Sequence, residues 1–273
     1  MKNFFPQVWV FAALILARSL EAASSSIRNH FNPASVHQLS STDAVILVDF
    51  WQSRACVEMS ERFDDLVDRA NGFIQRARLS GATIVHALAG SAANVDLRNP
   101  IYRSVFWQQS TKDRRLGRKL VQRATSLVRN KAATSPPPLD LLFGPSTRYC
   151  SELGRSDSRL HQNVSADFSK DIMFDNGFFF HRLARAGITR LFYVGSALNQ
   201  CVLFTRMFSA MEAVFTQKFR EVGIVLDLTL SIERVSGQPG CEGVSSYECA
   251  SRFSHWLNRN LNFTTLTFWD YGK

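Results

Sequence analysis

Most of the short signatures that mark an enzyme are missing from this sequence. It has no GxGxxG, no P-loop, no HExxH, no paired CxxC and no GxSxG. The dinucleotide, triphosphate, metalloprotease, zinc-ribbon and nucleophile-elbow chemistries that depend on those spacings therefore have no carrier here. The six histidines (30, 37, 86, 161, 181 and 255) show no metal-ligand spacing, so no metal or cofactor is expected. Acidic residues are scarce, 23 against 32 Lys and Arg, giving a formal charge of +9. Beyond residue 22 no apolar run is long enough to cross a bilayer. The cysteines are few and odd in number: Cys56, Cys150, Cys201, Cys241 and Cys249.

What is present begins with an amino-terminal leader. Lys2 precedes the apolar run Val8–Ala17, and Leu20-Glu21-Ala22 ends in small residues. This is the pattern of a signal peptide over residues 1–22, and it predicts a secreted product or one in the secretory-pathway lumen. An N-terminal arm over 23–40 and one domain over 41–273 follow. The sequons Asn163-Val-Ser165 and Asn262-Phe-Thr264 agree with secretion and glycosylation. In an oxidising compartment two disulfides would leave one thiol. Cys241 with Cys249, and Cys56 with Cys150, is one such pairing, and Cys201 is the thiol it leaves.

The excess positive charge is concentrated. Residues 112–131 hold eight basic residues and one acidic one. Leu116, Leu120, Leu127 and Val128 recur near helical spacing, which predicts a basic amphipathic helix within an insertion at about 108–138. Such a face is either simply solvated or meets an anionic glycan or lipid surface. Nucleic acid is not an expected partner, because no nucleic-acid-binding module accompanies the charge. Self-association into a homo-oligomer is left open. Ser135-Pro-Pro-Pro138 stops the helix.

Elsewhere the pattern alternates. Strands are expected at Asp43–Phe50, Ala82–His86, Leu191–Val194, Gly223–Leu228 and Phe263–Trp269. Helices are expected at Ser60–Leu79, Asp175–Ala186, Val202–Phe219 and Tyr247–Asn258. In the first helix Phe63, Leu66, Val67, Ala70, Phe73, Ile74 and Ala77 share a face. This rhythm predicts an α/β fold of three layers, with a doubly wound, mostly parallel sheet between helices. In such a sheet ligands bind outside the carboxyl ends of the strands, at the switch point. Asp49 ends the first strand. Gly195-Ser196-Ala197 ends a later one, and Cys201 follows six residues after the glycine. A thiol at a strand-to-helix junction is a candidate nucleophile, and equally a small buried hydrophobe. His86, at another strand end, reads as a core residue or as pocket lining.

Three blocks resemble the isochorismatase-like cysteine hydrolase superfamily. They are Val45-Ile-Leu-Val-Asp49-Phe-Trp51, the stretch Asn71 to His86, and Gly187 to Val202 with Gly195-Ser-Ala-Leu-Asn199-Gln-Cys201. The resemblance spans about residues 41–235. It implies a Rossmann-like fold and an Asp–Lys–Cys triad: Asp49 the general base, Cys201 the nucleophile, and the backbone N–H groups of Leu198 and Cys201 an oxyanion hole. The family's lysine position falls on Phe168; Lys170, two residues on, is the candidate cation. The family has a small hydroxyl residue where Leu198 stands. Trp51, Trp107 and Asn199 are the expected substrate contacts, with Phe106 a further aromatic.

These residues imply a secreted hydrolase that uses Cys201 and Asp49 on the C–N bond of a small amide. Two alternatives stand beside it. One is an inactive member that binds an anionic partner through 112–131. The other is a vinyl-ether hydrolase of the isochorismate type that does not need the thiol.

Overall fold

The computed structural model describes residues 38–53, 57–87, 111–135, 157–174, 180–196, 198–203, 208–230, 246–261 and 265–271. All of them belong to the compact unit Pro33–Lys273. The expected leader and all but the end of the expected arm lie outside the described residues, as do Cys56, Cys150 and Cys241 and with them the expected disulfides.

Six strands form one sheet: β1 (Asp43–Val48), β3 (Thr83–Ala87), β5 (Ile172–Phe174), β6 (Arg190–Ser196), β7 (Glu221–Leu230) and β8 (Leu266–Trp269). Their order is β5-β3-β1-β6-β7-β8, and every neighbouring pair is parallel. β2 (Trp51–Ser53) and β4 (Asp157–Leu160) form a separate antiparallel pair. The helices are α1 (Val57–Leu79), α2 (Thr111–Thr134), α3 (Phe180–Arg185), α4 (Ala210–Thr216) and α5 (Ser246–Leu261).

The sheet strands read as continuous apolar runs because both their faces are covered; β1 is buried at all six positions. On one face lies α1. Its seven expected inward residues, Phe63 to Ala77, are each 0–1% exposed, and they pack on Val45, Leu47, Ile84, Phe192 and Val194. On the other face Ile46, Val48, Tyr193 and Ile224 meet Leu183, Met211, Phe253 and Leu257 from α3, α4 and α5. Right-handed crossovers account for this division. The chain winds from β1 towards β3 through α1, and from β5 across to β6, β7 and β8 through α3, α4 and α5. Opposite directions of travel place α1 on one face and α3, α4 and α5 on the other. The expected three-layer, doubly wound sheet is therefore present, and the reversal falls between β1 and β6.

The basic segment forms α2, as expected, but it is not a free rod. Ala124 and Val128 are fully buried, with Leu120 and Leu127 half-buried beside them, and the helix packs on α4 and α5. It thus joins the face opposite α1.

Candidate active site

β1 and β6 are fastened at both ends. At the amino ends Arg190 donates to both carboxylate oxygens of Asp43, at 2.7 and 2.6 Å, and Asp43 also accepts from the Ser40 N–H at 2.7 Å. At the carboxyl ends Val48 is paired with Gly195. Gly195 has φ +120°, and a Cβ there would collide with the Val48 carbonyl oxygen and lie 2.9 Å from Phe50 Cε2. Only glycine allows this approach.

One residue beyond Val48 the chain leaves the sheet through Asp49. Its φ is +50°, one of two positive values among the described non-glycine residues. Its N–H donates to the Ala87 carbonyl at 3.0 Å, and its carbonyl accepts the Trp51 N–H at 2.9 Å. The residue is fully buried. Aspartate tolerates left-handed backbone better than most residues, at a cost of order 1–3 kcal/mol, and such strain gathers at functional sites.

Across from Asp49, β6 ends in Ser196, which is fully buried and whose hydroxyl makes no hydrogen bond among the described residues. Sequence reasoning took Ser196 only as a small residue. Its signal was available: a hydroxyl directly after the strand-end glycine of the nucleophile block. Leu198–Val202 then forms a single π-helical turn that carries Cys201. Cys201 is 8% exposed and forms no disulfide among the described residues, and Leu198 is fully buried. π-turns are rare and recur at functional sites. The expected helix over Val202–Phe219 is a correction: it is this turn plus α4. Ser209 starts α4 as its N-cap, accepting from the Glu212 N–H at 3.4 Å. Tyr193 ties the region to the sheet by donating to the Phe208 carbonyl at 2.9 Å. Burial first, and the nearby Glu212 charge second, hold its phenol well above the usual range.

Trp51 lies beside this end of the sheet. It is half-buried against the core and paired with Leu160 in the β2–β4 ribbon. Asn199 belongs to the π-turn by its backbone. Trp107 and Phe106 lie outside the described residues.

Lys170 is not brought to Asp49 and Cys201. It is 78% exposed and pairs with Asp167 at 3.4 Å. Ala87 and Phe174 are paired at the level of Val48, and Lys170 precedes Phe174 by four residues, on the approach to the amino end of β5. β5 also lies two strands from β1, about 10 Å sideways. Its neighbour Asp171 turns inward instead. Asp171 accepts from Arg78 Nε at 3.2 Å and the Asp167 N–H at 2.9 Å, and meets His86 Nε2 at 2.9 Å. Burial raises its pKa, but the bonds from His86, Arg78 and the Asp167 N–H outweigh that and hold it below the usual carboxylate value. His86 is therefore a core residue clamped to Asp171. Among the described residues no group of three His, Cys, Asp or Glu side chains could hold a metal ion.

Asp49 and the Cys201 turn thus follow the carboxyl ends of β1 and β6, the adjacent strands that flank the switch point, and the turn opens with the N–H groups of Leu198 and Asn199. Nucleophilic attack at a carbonyl needs those groups: a proton acceptor, a thiol and donors for an oxyanion.

No protein-family model matches the chain, and no curated protein matches it. Among solved structures it is similar to an isochorismatase family protein from Desulfovibrio vulgaris, at 14% identity and a TM-score of 0.44, over 84% of this chain and 94% of that one. It is also similar to a cysteine hydrolase from Pseudomonas syringae, at 10% identity and 0.46, over 88% and 94%. A nicotinamidase from Bacillus subtilis is similar at 12% identity and 0.39, over 83% and 99%.

Proposed function

We propose that the chain is a secreted cysteine hydrolase that cleaves the carbon–nitrogen bond of a small amide. The observation that carries this reading is the placement of Asp49 and Cys201 after the two strand ends that flank the switch point, Asp49 in a strained backbone and Cys201 in a π-turn. The blocks around both residues, with their resemblance to the cysteine hydrolases, support it further.

In this mechanism the Asp49 carboxylate accepts the Cys201 thiol proton as Sγ bonds to the amide carbon. The carbonyl oxygen takes up charge against the N–H groups of Leu198 and Cys201. The C–N bond then breaks, and the amine leaves with the proton held by Asp49. Water next gives a proton to Asp49 and attacks the thioester. The S–C bond breaks, and the proton returns to sulfur. Lys170 takes no part. Trp51 supplies an apolar wall for the substrate, and the Ser196 hydroxyl a polar contact.

The test is incubation of the mature protein with a panel of small N-alkyl amides, with released amine assayed and the protein's intact mass measured. The reading requires amine release together with an acyl adduct that maps to Cys201. Amine release from Cys201→Ala at the wild-type rate would refute it. The position of Lys170, remote from the thiol, favours one second reading. In that reading protonated Asp49 gives its proton to the vinyl-ether carbon, water adds and returns a proton to Asp49, and the hemiketal breaks its C–O bond to a carbonyl and an alcohol; no thiolate forms. Vinyl-ether cleavage that survives Cys201→Ala would mark it.

A further inference from the structure

The exposed side of α2 takes no part in the proposed chemistry. The inward side is spoken for by Ala124, Val128, Leu120 and Leu127. Arg118, Lys119, Arg123, Arg129 and Lys131 are all exposed, and by helical spacing Arg118, Lys119 and Arg129 stand on the side away from that stripe. From Arg114 to Leu139 the sequence contains no acidic residue. Among the described residues Arg118, Lys119, Arg129 and Lys131 form no ion pair; Arg123 lies 5.1 Å from the Phe215 ring. Arg118 and Arg129 are eleven residues apart, three helical turns, so they stand on one line about 16 Å long. Lys119 runs beside it. Like charges along one helix repel one another, and an anionic partner relieves the repulsion.

The chemistry of the face selects among anions. A helix that lies in a lipid surface inserts its apolar side, but the apolar stripe of α2 is buried in its own chain. Single-stranded nucleic acid is held by aromatic stacking along a basic groove, and residues 111–135 contain no aromatic residue. What remains suited to a rigid face with cations spaced about 16 Å along it is a linear polymer with sulfate groups along its length, which the leader-like first segment would bring the protein to meet.

We infer that the outward face of α2 binds a linear sulfated glycan. The probe is heparin, titrated against the full mature protein and against Arg118→Glu/Arg129→Glu. The reversal should weaken binding at least tenfold, while Cys201→Ala should bind as wild type does. Binding should also weaken as salt rises. If the double reversal does not fold, as judged by circular dichroism, Arg118→Gln/Arg129→Gln replaces it, with the same direction expected. The reversal Arg220→Glu, outside α2, controls for net charge. Three outcomes overturn the inference: equal binding to desulfated heparin, equal loss in Arg220→Glu, or tighter binding to duplex DNA or to phosphatidylserine vesicles at the same ionic strength. Amide hydrolysis is measured separately, so failure here leaves the proposed function standing.

Discussion

Asp49 and Asp171 are both removed from water, 0% and 2% exposed, yet the fold treats them in opposite ways. Asp171 sits where β5 begins and is wrapped by Arg78, His86 and the Asp167 N–H. Its backbone is relaxed and its charge is neutralised by partners from α1, β3 and its own turn. Asp49 sits where β1 ends, with a left-handed backbone, one residue beyond the pairing of Val48 with a glycine that cannot be replaced without collision. A buried acid saturated with donors fastens elements together. An acid at a switch point, held by strain in the main chain, is the kind that chemistry uses.

That contrast can be broken by substitution. Cys201→Ala should lower amide turnover by at least about 10³-fold while leaving thermal stability near wild type; steady-state kinetics beside a melting curve would check both. Asp171→Ala should do the reverse. It leaves Arg78 and His86 without their carboxylate and should cost about 3–5 kcal/mol, read by denaturant unfolding, with turnover retained in the folded fraction. The acid side of its pH profile follows. Its folded pKa lies below the ordinary 3.8, so its contribution is complete above that value and is lost as pH falls through the folded pKa. The stability gap between wild type and Asp171→Asn should therefore close on acidification below that value.

Gly195→Ala sharpens the other half of the comparison. The φ of +120° and the collision with Val48 together should cost roughly 3 kcal/mol and lower the melting temperature accordingly. A third buried acid marks the middle ground. Glu212 is fully buried, and its carboxylate oxygens make no hydrogen bond among the described residues. Burial holds its pKa well above the ordinary 4.5. Because the folded pKa is raised, stability is lost as pH rises above that value. Glu212→Gln should raise the melting temperature by about 3 °C at neutral pH, equivalent to about 1 kcal/mol, and by less in acid. The smallest effect belongs to Lys170→Ala, which should change neither thiol reactivity nor melting within error, because an exposed pair with Asp167 contributes little.

The sheet was legible in the sequence, as was the placement of Asp49 and Cys201 beyond the carboxyl ends of two of its strands, and the reason is periodicity. Phe63 to Ala77 repeat at helical spacing because one stripe faces the sheet, and β1 and β6 are unbroken apolar runs because both their faces are covered. Strands that end in Asp49 and Gly195 were therefore visible as ends. β2, β4 and β5, of three or four residues, were not. At that length alternation cannot be told from loop. The helix expected over Val202–Phe219 joined two elements because its apolar spacing runs through both, and the new start at Ser209 is a cap rather than a break in hydrophobicity. Lys170 was chosen by its closeness in sequence to the family's lysine position. Whether a residue two places away reaches the site depends on the strand register of β5, which no local pattern reports.

The most direct measurement is the rate of iodoacetamide alkylation of the mature, non-reduced protein, mapped to peptides, in wild type and in Asp49→Asn. The account requires Cys201 to label faster than a model thiol and to slow at least tenfold in Asp49→Asn, with Lys170→Ala unchanged. Labelling at the model-thiol rate in wild type, or the same rate in Asp49→Asn, would contradict it and leave Cys201 a packing residue.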